Sequence, residues 1–204
     1  QVGLEEVVVI AQSVGAVLVA TWVHDYAPAI RGLLLASPAF KVKLYVPLAR
    51  PALALWHRLR GLFFINSYVK GRYLTHDRQR VASFNNDPLI TRAIAVNILL
   101  DLYKTSERIV SDAAAITLPT QLLISGDDYV VHRQPQIDFY LRLRSPLKEL
   151  HLLPGFYHDT LGEENRALAF EKMQSFISRL YANKSQKFDY QQEDRTGPSA
   201  DRWR

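Results

Sequence analysis

The chain has no cysteine. This excludes disulfides, thiolate metal sites and a cysteine nucleophile, and it fits a reducing compartment. No apolar run approaches the roughly 18 residues needed to cross a bilayer. The first residue is Gln1 rather than Met, so the lack of a targeting segment says nothing about location. Acidic residues are missing altogether between Asp25 and Asp77, while Arg31, Lys41, Lys43, Arg50, Arg58, Arg60, Lys70 and Arg72 fall inside that gap. Phe40, Tyr45, Trp56, Phe63, Phe64, Tyr68 and Tyr73 are interleaved with them. Two readings stand for this segment. It is either a surface that attracts anionic partners such as a lipid headgroup layer, or an ordinary solvated basic face over a core stripe.

What is present is globular in character. Of 204 residues, 48% are hydrophobic and 22% charged, with a net charge of +5, which argues against a disordered chain and for one domain with an insertion or tail. Val7–Ala11 reads as a buried strand, and the following residues to Tyr26 as a helix that ends before Pro28. Arg31–Ala36, Thr120–Ser125 and Lys148–Leu153 are further apolar runs closed by Ser37–Pro38, Gly126–Asp127–Asp128 and Pro154–Gly155. Strands alternating with helices imply βαβ units and a parallel sheet. Ala169, Phe170, Met173, Phe176, Ile177, Leu180 and Tyr181 recur at helical spacing and predict a last amphipathic helix.

The stretch between Ala36 and Thr120 is far longer than an ordinary connection. Its pattern is helical, notably from Asp87–Pro88 through Ile94, Ile98 and Leu102 to Val110. The expected organisation is therefore a core of residues 1–36 and 113–182, a helical cap over 37–112, and a polar linker or tail over 183–204.

Three polar groups fall at carboxyl ends of the proposed strands, where open α/β sheets build their sites. Ser13 follows the first run, Asp128 the third and His158 the fourth. A serine hydroxyl becomes a nucleophile when a neutral imidazole takes its proton, and a carboxylate on the other ring nitrogen fixes the tautomer. The segment Ala11–Gln12–Ser13–Val14–Gly15 has the strand–turn–helix context of a nucleophile elbow. Gly15 and Ala11 are expected to keep its flanks small, and the Val14 amide to face a developing oxyanion at a helix N-terminus. Asp128 is preferred over Asp127, which suits a solvated turn position. His132 is the rival to His158 because it lies close to Asp128. Asp159 suits a solvated or helix-capping role.

Ala11–Gln12–Ser13–Val14–Gly15, Ser125–Gly126–Asp127–Asp128–Tyr129–Val130–Val131 and Gly155–Phe156–Tyr157–His158–Asp159 resemble the three catalytic segments of α/β-hydrolases. Within that superfamily, residues 4–182 most resemble the capped group of monoacylglycerol lipases, lysophospholipases and serine aminopeptidase-like enzymes. Stretches such as SPAFKVKLYVP (37–47) resemble a bacterial branch in which such a hydrolase is followed by a methyltransferase domain. The resemblance implies the C-terminal half of a doubly wound, mostly parallel sheet with a cap. It also implies an N-terminally truncated fragment, lacking the loop that supplies a second oxyanion donor. A fragment of this kind would leave Val7–Ala11 as an exposed apolar sheet edge.

The implied activity is hydrolysis of carboxylic, lipid-like acyl esters, with Ser13, Asp128 and His158 catalytic and Val14 in the oxyanion hole. Gln12, Phe40 and Tyr157 are expected to contact substrate. No cofactor, metal or nucleic acid is expected. The expected location is cytoplasmic, with peripheral contact to an anionic membrane. Two other readings stay open: an aminopeptidase, which needs an acidic pocket to hold a substrate amine, and a catalytically inactive basic binding module.

Overall fold

The structure is a computed structural model that describes Gly3 and residues 6–193, with side chains described to residue 182. Four strands form one wholly parallel sheet: β1 (Val8–Gln12), β2 (Gly32–Ala36), β5 (Thr120–Ser125) and β6 (Lys148–Leu153), in the order β1-β2-β5-β6. All four coincide, within a residue or two, with the apolar runs of the sequence. β2 and β5 are buried on both faces, as continuous apolar runs in a parallel sheet require. β1 lies at one margin of the sheet, and Ile10 on it is exposed.

The two faces of the sheet carry different helices. Leu33 and Leu35 point to one face, where they pack with Ala16, Val17 and Ala20 of α1 (Ser13–Tyr26), Ile109 and Val110 of α4 (Val96–Ser111), and Phe139 of α5 (Arg133–Arg142). Leu34 and Ala36, one residue out of phase, point to the other face and meet Ala169, Met173, Phe176 and Leu180 of α6 (Ala167–Glu193). The period-2 alternation of β2 thus sorts the helices into two layers.

α6 continues further than expected. Residues 183–193, where a polar tail is expected, extend the helix to Glu193. The stretch holds Lys, Gln and Glu and has no Gly or Pro, so its backbone preference is helical although its apolar stripe has ended. The remainder of that tail, 194–204, lies outside the described residues.

The insertion is not wholly helical. Besides α2 (Ala49–Arg60) and α3 (Arg78–Asn86) it holds a two-stranded antiparallel unit whose strands, β3 (Phe64–Asn66) and β4 (Ala93–Ala95), flank α3 in the chain. The helix expected from Asp87 starts only at Val96. The side chains of Asp87 and Thr91 accept the amides of Leu89 and Ala93, turns that compete with helix at this point. α4 serves both parts of the molecule, since Leu99 and Leu102 reach the cavity described below while Ile109 and Val110 pack in the core.

Candidate active site

The site is built on the carboxyl ends of β1, β5 and β6. β1 runs directly into α1, and the reversal falls on Ser13, whose φ of 56° lies in the left-handed region. Such a conformation costs a non-glycine residue of order 1–3 kcal/mol and holds only where its surroundings fix it. Here the Ser13 carbonyl accepts the amide of Ala39 at 3.1 Å, which ties the turn to the segment after β2. α1 begins without a side-chain cap. The first amides of a helix have no partner within it, so the Val14 N–H stands at the positive end of α1 beside Ser13.

His158 enters from the loop after β6. Its Nδ1 is 2.8 Å from Asp128 Oδ2, and its Nε2 is 2.7 Å from Ser13 Oγ. An ionised carboxylate only accepts, so Nδ1 carries the proton and Nε2 is left to accept from the serine hydroxyl. Asp128 and His158 are both buried. The other oxygen of Asp128 accepts the amides of Val130 and Val131 at 2.7 and 3.0 Å. Asp127 is exposed and makes only a backbone bond here, its N–H donating to Phe156 O. Gly126 is required by space: a Cβ there would stand 2.8 Å from Leu153 O.

The remaining histidines go elsewhere. His132 precedes α5, and burial, with Lys41 and Lys43 nearby, lowers its pKa. His24 bonds Asp25 and Asp112, His57 the Gly61 carbonyl, His76 Glu163 and His151 Glu149. Among the described residues, His158 is the histidine that meets both Ser13 and Asp128.

A cavity of about 740 Å³ opens above Ser13 and His158, between them and residues of the 37–112 segment. Its wall is mostly apolar, from Val17 and Leu18 of α1, Leu99 and Leu102 of α4, and Ile65 and Ile94 of β3 and β4. Asp101 and Asp159 are carboxylates on that wall. A second cavity of about 660 Å³ adjoins it, with Leu44, Ile65, Asn66 and Tyr68 common to both.

Other expectations need correction. Phe40 does not line the cavity: it is 2% exposed and packs on Phe139, ring centroids 4.7 Å apart, in the core between sheet and helices. Tyr157 is also absent from the cavity wall, and its ring stands against His76 and Tyr129. Gln12 does line the cavity, but both ends of its amide are engaged: Nε2 donates to Asp159 Oδ1 at 2.9 Å, and Oε1 accepts from Leu161 N at 3.0 Å. Asp159 does stand at the start of a short helical turn, Thr160–Gly162, but its side chain does not cap that turn and bonds Gln12 and Arg80 instead. A Cβ on Gly15 would meet nothing within 4 Å, so close packing against a neighbouring strand is not what that glycine provides among the described residues.

Sequence reasoning missed the groups that hold this arrangement from behind. Ser37 Oγ and Ser125 Oγ both bond Thr160 Oγ1, at 2.8 and 2.9 Å, which links the ends of β2 and β5 to the loop after His158. Glu163 is buried and accepts the amides of His76, Tyr157 and Glu164 and the ring of His76. The signal available was Ser37 and Ser125 closing two apolar runs, and a glutamate five residues after His158.

With this geometry in place, a family model described as "Serine aminopeptidase, S33" matches residues 1–165. The chain belongs to that family. Over all 204 residues it is 96% identical to YnbC of Escherichia coli (strain K12), and it spans 35% of that protein's length. Phospholipase YtpA of Bacillus subtilis (strain 168) is 25% identical over 179 residues, covering 85% of this chain and 68% of that protein. A solved structure of monoacylglycerol lipase from Paleococcus ferrophilus matches with a TM-score of 0.75 at 18% identity, over 84% of this chain and 68% of that one. That likeness is one of fold, and the fold of this S33 chain is the α/β-hydrolase fold. Among the described residues there is no group of side chains suited to hold a metal ion, and no helix long and apolar enough to cross a membrane.

Proposed function

We propose that the chain carries the catalytic residues of a serine hydrolase that cleaves lipid-like acyl esters. One observation carries the reading: Ser13 Oγ, His158 and Asp128 are joined by contacts of 2.7 and 2.8 Å at the floor of an apolar cavity. Ser13 Oγ attacks the ester carbonyl while its proton passes to His158 Nε2. Asp128 remains ionised and stabilises the imidazolium. The Val14 N–H donates to the oxyanion, a contribution on the order of 3 kcal/mol. The tetrahedral adduct collapses as His158 returns the proton to the leaving alcohol, leaving an acyl-serine. Water, deprotonated by the same imidazole, then releases the acid.

The apolar wall suits an acyl chain, and burying each methylene there contributes about 0.8 kcal/mol. A fluorophosphonate probe and a series of acyl esters, applied to the full-length protein, test the proposal. We expect labelling and turnover that are both lost in Ser13→Ala. Undiminished turnover by that variant overturns the reading.

Asp101 on the cavity wall favours a second reading, an aminopeptidase that holds a substrate amine there. Faster turnover of amino-acid arylamides than of acyl esters would select it. For the whole protein we propose peripheral contact with anionic membranes. The support is α2, whose Leu55, Trp56 and Leu59 are exposed among Arg50, Arg58 and Arg60. A fused methyltransferase domain is likewise a proposal for the longer protein.

A further inference from the structure

The carboxylate of Asp159, next in the chain to His158, is divided between two parts of the molecule. Oδ1 accepts from Gln12 Nε2 at 2.9 Å, and Gln12 immediately precedes Ser13. Oδ2 accepts from Arg80 Nε at 3.1 Å, on cap helix α3. The Asp159 amide donates to Leu74 O of the cap at 2.8 Å. Gln12 closes the other side by accepting from Leu161 N. The residue before the nucleophile and the residue after the base are thus bonded side chain to side chain, and a cap cation shares the acceptor.

The space around this carboxylate is equally restricted. A Cβ at Gly162 would collide with the Asp159 carboxylate and the Arg80 guanidinium. Helix α3 is fixed at its start, where Asp77 Oδ1 accepts the amides of Gln79 and Arg80 and its other oxygen meets Arg166. Four residues after Arg80, on the same helical face, Phe84 forms part of the cavity wall. An acyl chain long enough to reach Phe84 therefore presses on the helix that holds Asp159.

We propose that Asp159 is a positioning residue that couples occupancy of the acyl cavity to the Ser13–His158 contact, through Arg80 and Phe84 on one side and Gln12 on the other. The inference rests on the ester-hydrolase reading above. When the cavity beside Phe84 is filled, α3 is held, Arg80 keeps Asp159 in place, and Gln12 and His158 keep the serine and imidazole in register. A short chain that stops before Phe84 does not use this route. Misplacement of reacting groups by an ångström costs on the order of a hundredfold in rate, so small displacements suffice.

The test is kcat and KM for a series of p-nitrophenyl esters from short to long acyl chains, measured on full-length protein. Wild type, Arg80→Gln, Arg80→Lys, Asp159→Asn and Ser13→Ala are compared. The Arg80 side chain is half exposed, so its loss leaves the fold intact even where Asp159→Asn does not fold. For wild type, kcat rises with chain length. In Arg80→Gln, kcat for long chains falls about tenfold, short chains stay within about twofold and KM is unchanged, while Arg80→Lys retains most of the rise.

A wild-type chain-length profile in Arg80→Gln overturns the proposal. So does an equal loss at every chain length accompanied by a lower melting temperature, which marks a merely structural role. Ser13→Ala separates the two levels. If it is inactive while Arg80→Gln keeps the wild-type profile, only the coupling fails. If it retains activity, the hydrolase reading fails and the coupling with it.

Discussion

Asp128 holds His158 with one carboxylate oxygen and is itself held by the other. Oδ2 meets the ring Nδ1 at 2.8 Å, while Oδ1 takes the amides of Val130 and Val131. The loop therefore fixes the acid before the acid fixes the base. In Asp128→Asn the new amide cannot both accept from the two backbone N–H groups and accept from Nδ1–H. The imidazole then loses the tautomer that leaves Nε2 free for Ser13. We expect kcat on a short ester to fall by about 10³ to 10⁴ with the circular dichroism spectrum unchanged. A loss of less than tenfold would mean that Asp128 does not orient the base.

Phe40 supplies a second prediction, in stability rather than catalysis. It is 2% exposed, against Phe139. Phe40→Ala removes a buried ring and leaves a cavity in the core, which costs about 3–5 kcal/mol. Equilibrium denaturation of the full-length protein should show that loss, while KM of the folded fraction stays within about twofold. A raised KM with unchanged stability would return Phe40 to the substrate site.

These two residues mark what was legible in the sequence. That Asp128 and His158 would lie near one another was legible because each follows an apolar run, and strand ends in a parallel sheet converge on one edge. Ser13 was visible for the same reason, since a strand, a small-residue turn and a helix are local features. Phe40 was misplaced because it follows β2 closely, and local position does not say which side of the chain meets solvent. The β3–β4 unit was invisible: its strands are three residues each, far apart in sequence, and carry no alternation. Gln12, Asp159 and Glu163 were misread or missed for a related reason. Their partners lie on other elements, and only the folded chain brings them together.

The cavity wall offers a test that leaves the reacting groups alone. Ile98, near the start of α4, lines the cavity yet is 61% exposed, so a larger side chain is accommodated without overpacking the core. Ile98→Trp should shorten the space available to an acyl chain. We expect kcat/KM for long-chain esters to fall about tenfold, or ~1.4 kcal/mol, with short-chain esters within about twofold. A uniform loss across chain lengths would place the acyl chain elsewhere, with the adjoining 660 Å³ cavity the next place to alter.

Glu163 makes the stability of the histidine loop depend on pH. Burial opposes its ionisation, but the amides of Tyr157, His76 and Glu164, with the His76 ring, outweigh burial and hold its pKa below the ordinary 4.5. A carboxyl whose folded pKa is depressed adds stability above its unfolded pKa, and that stability is lost as pH falls through the folded value. Glu163→Gln keeps the shape and removes the charge, so at neutral pH it should cost about 2 kcal/mol, the scale of hydrogen bonds to a charged group. Denaturant midpoints of wild type and variant, followed from pH 7 downward, should be well separated at first. The gap should narrow once the pH passes below 4.5, because wild type alone loses its carboxylate. A gap that stays constant with pH would mean that the side chain's shape, and not its charge, joins His76 to the histidine loop.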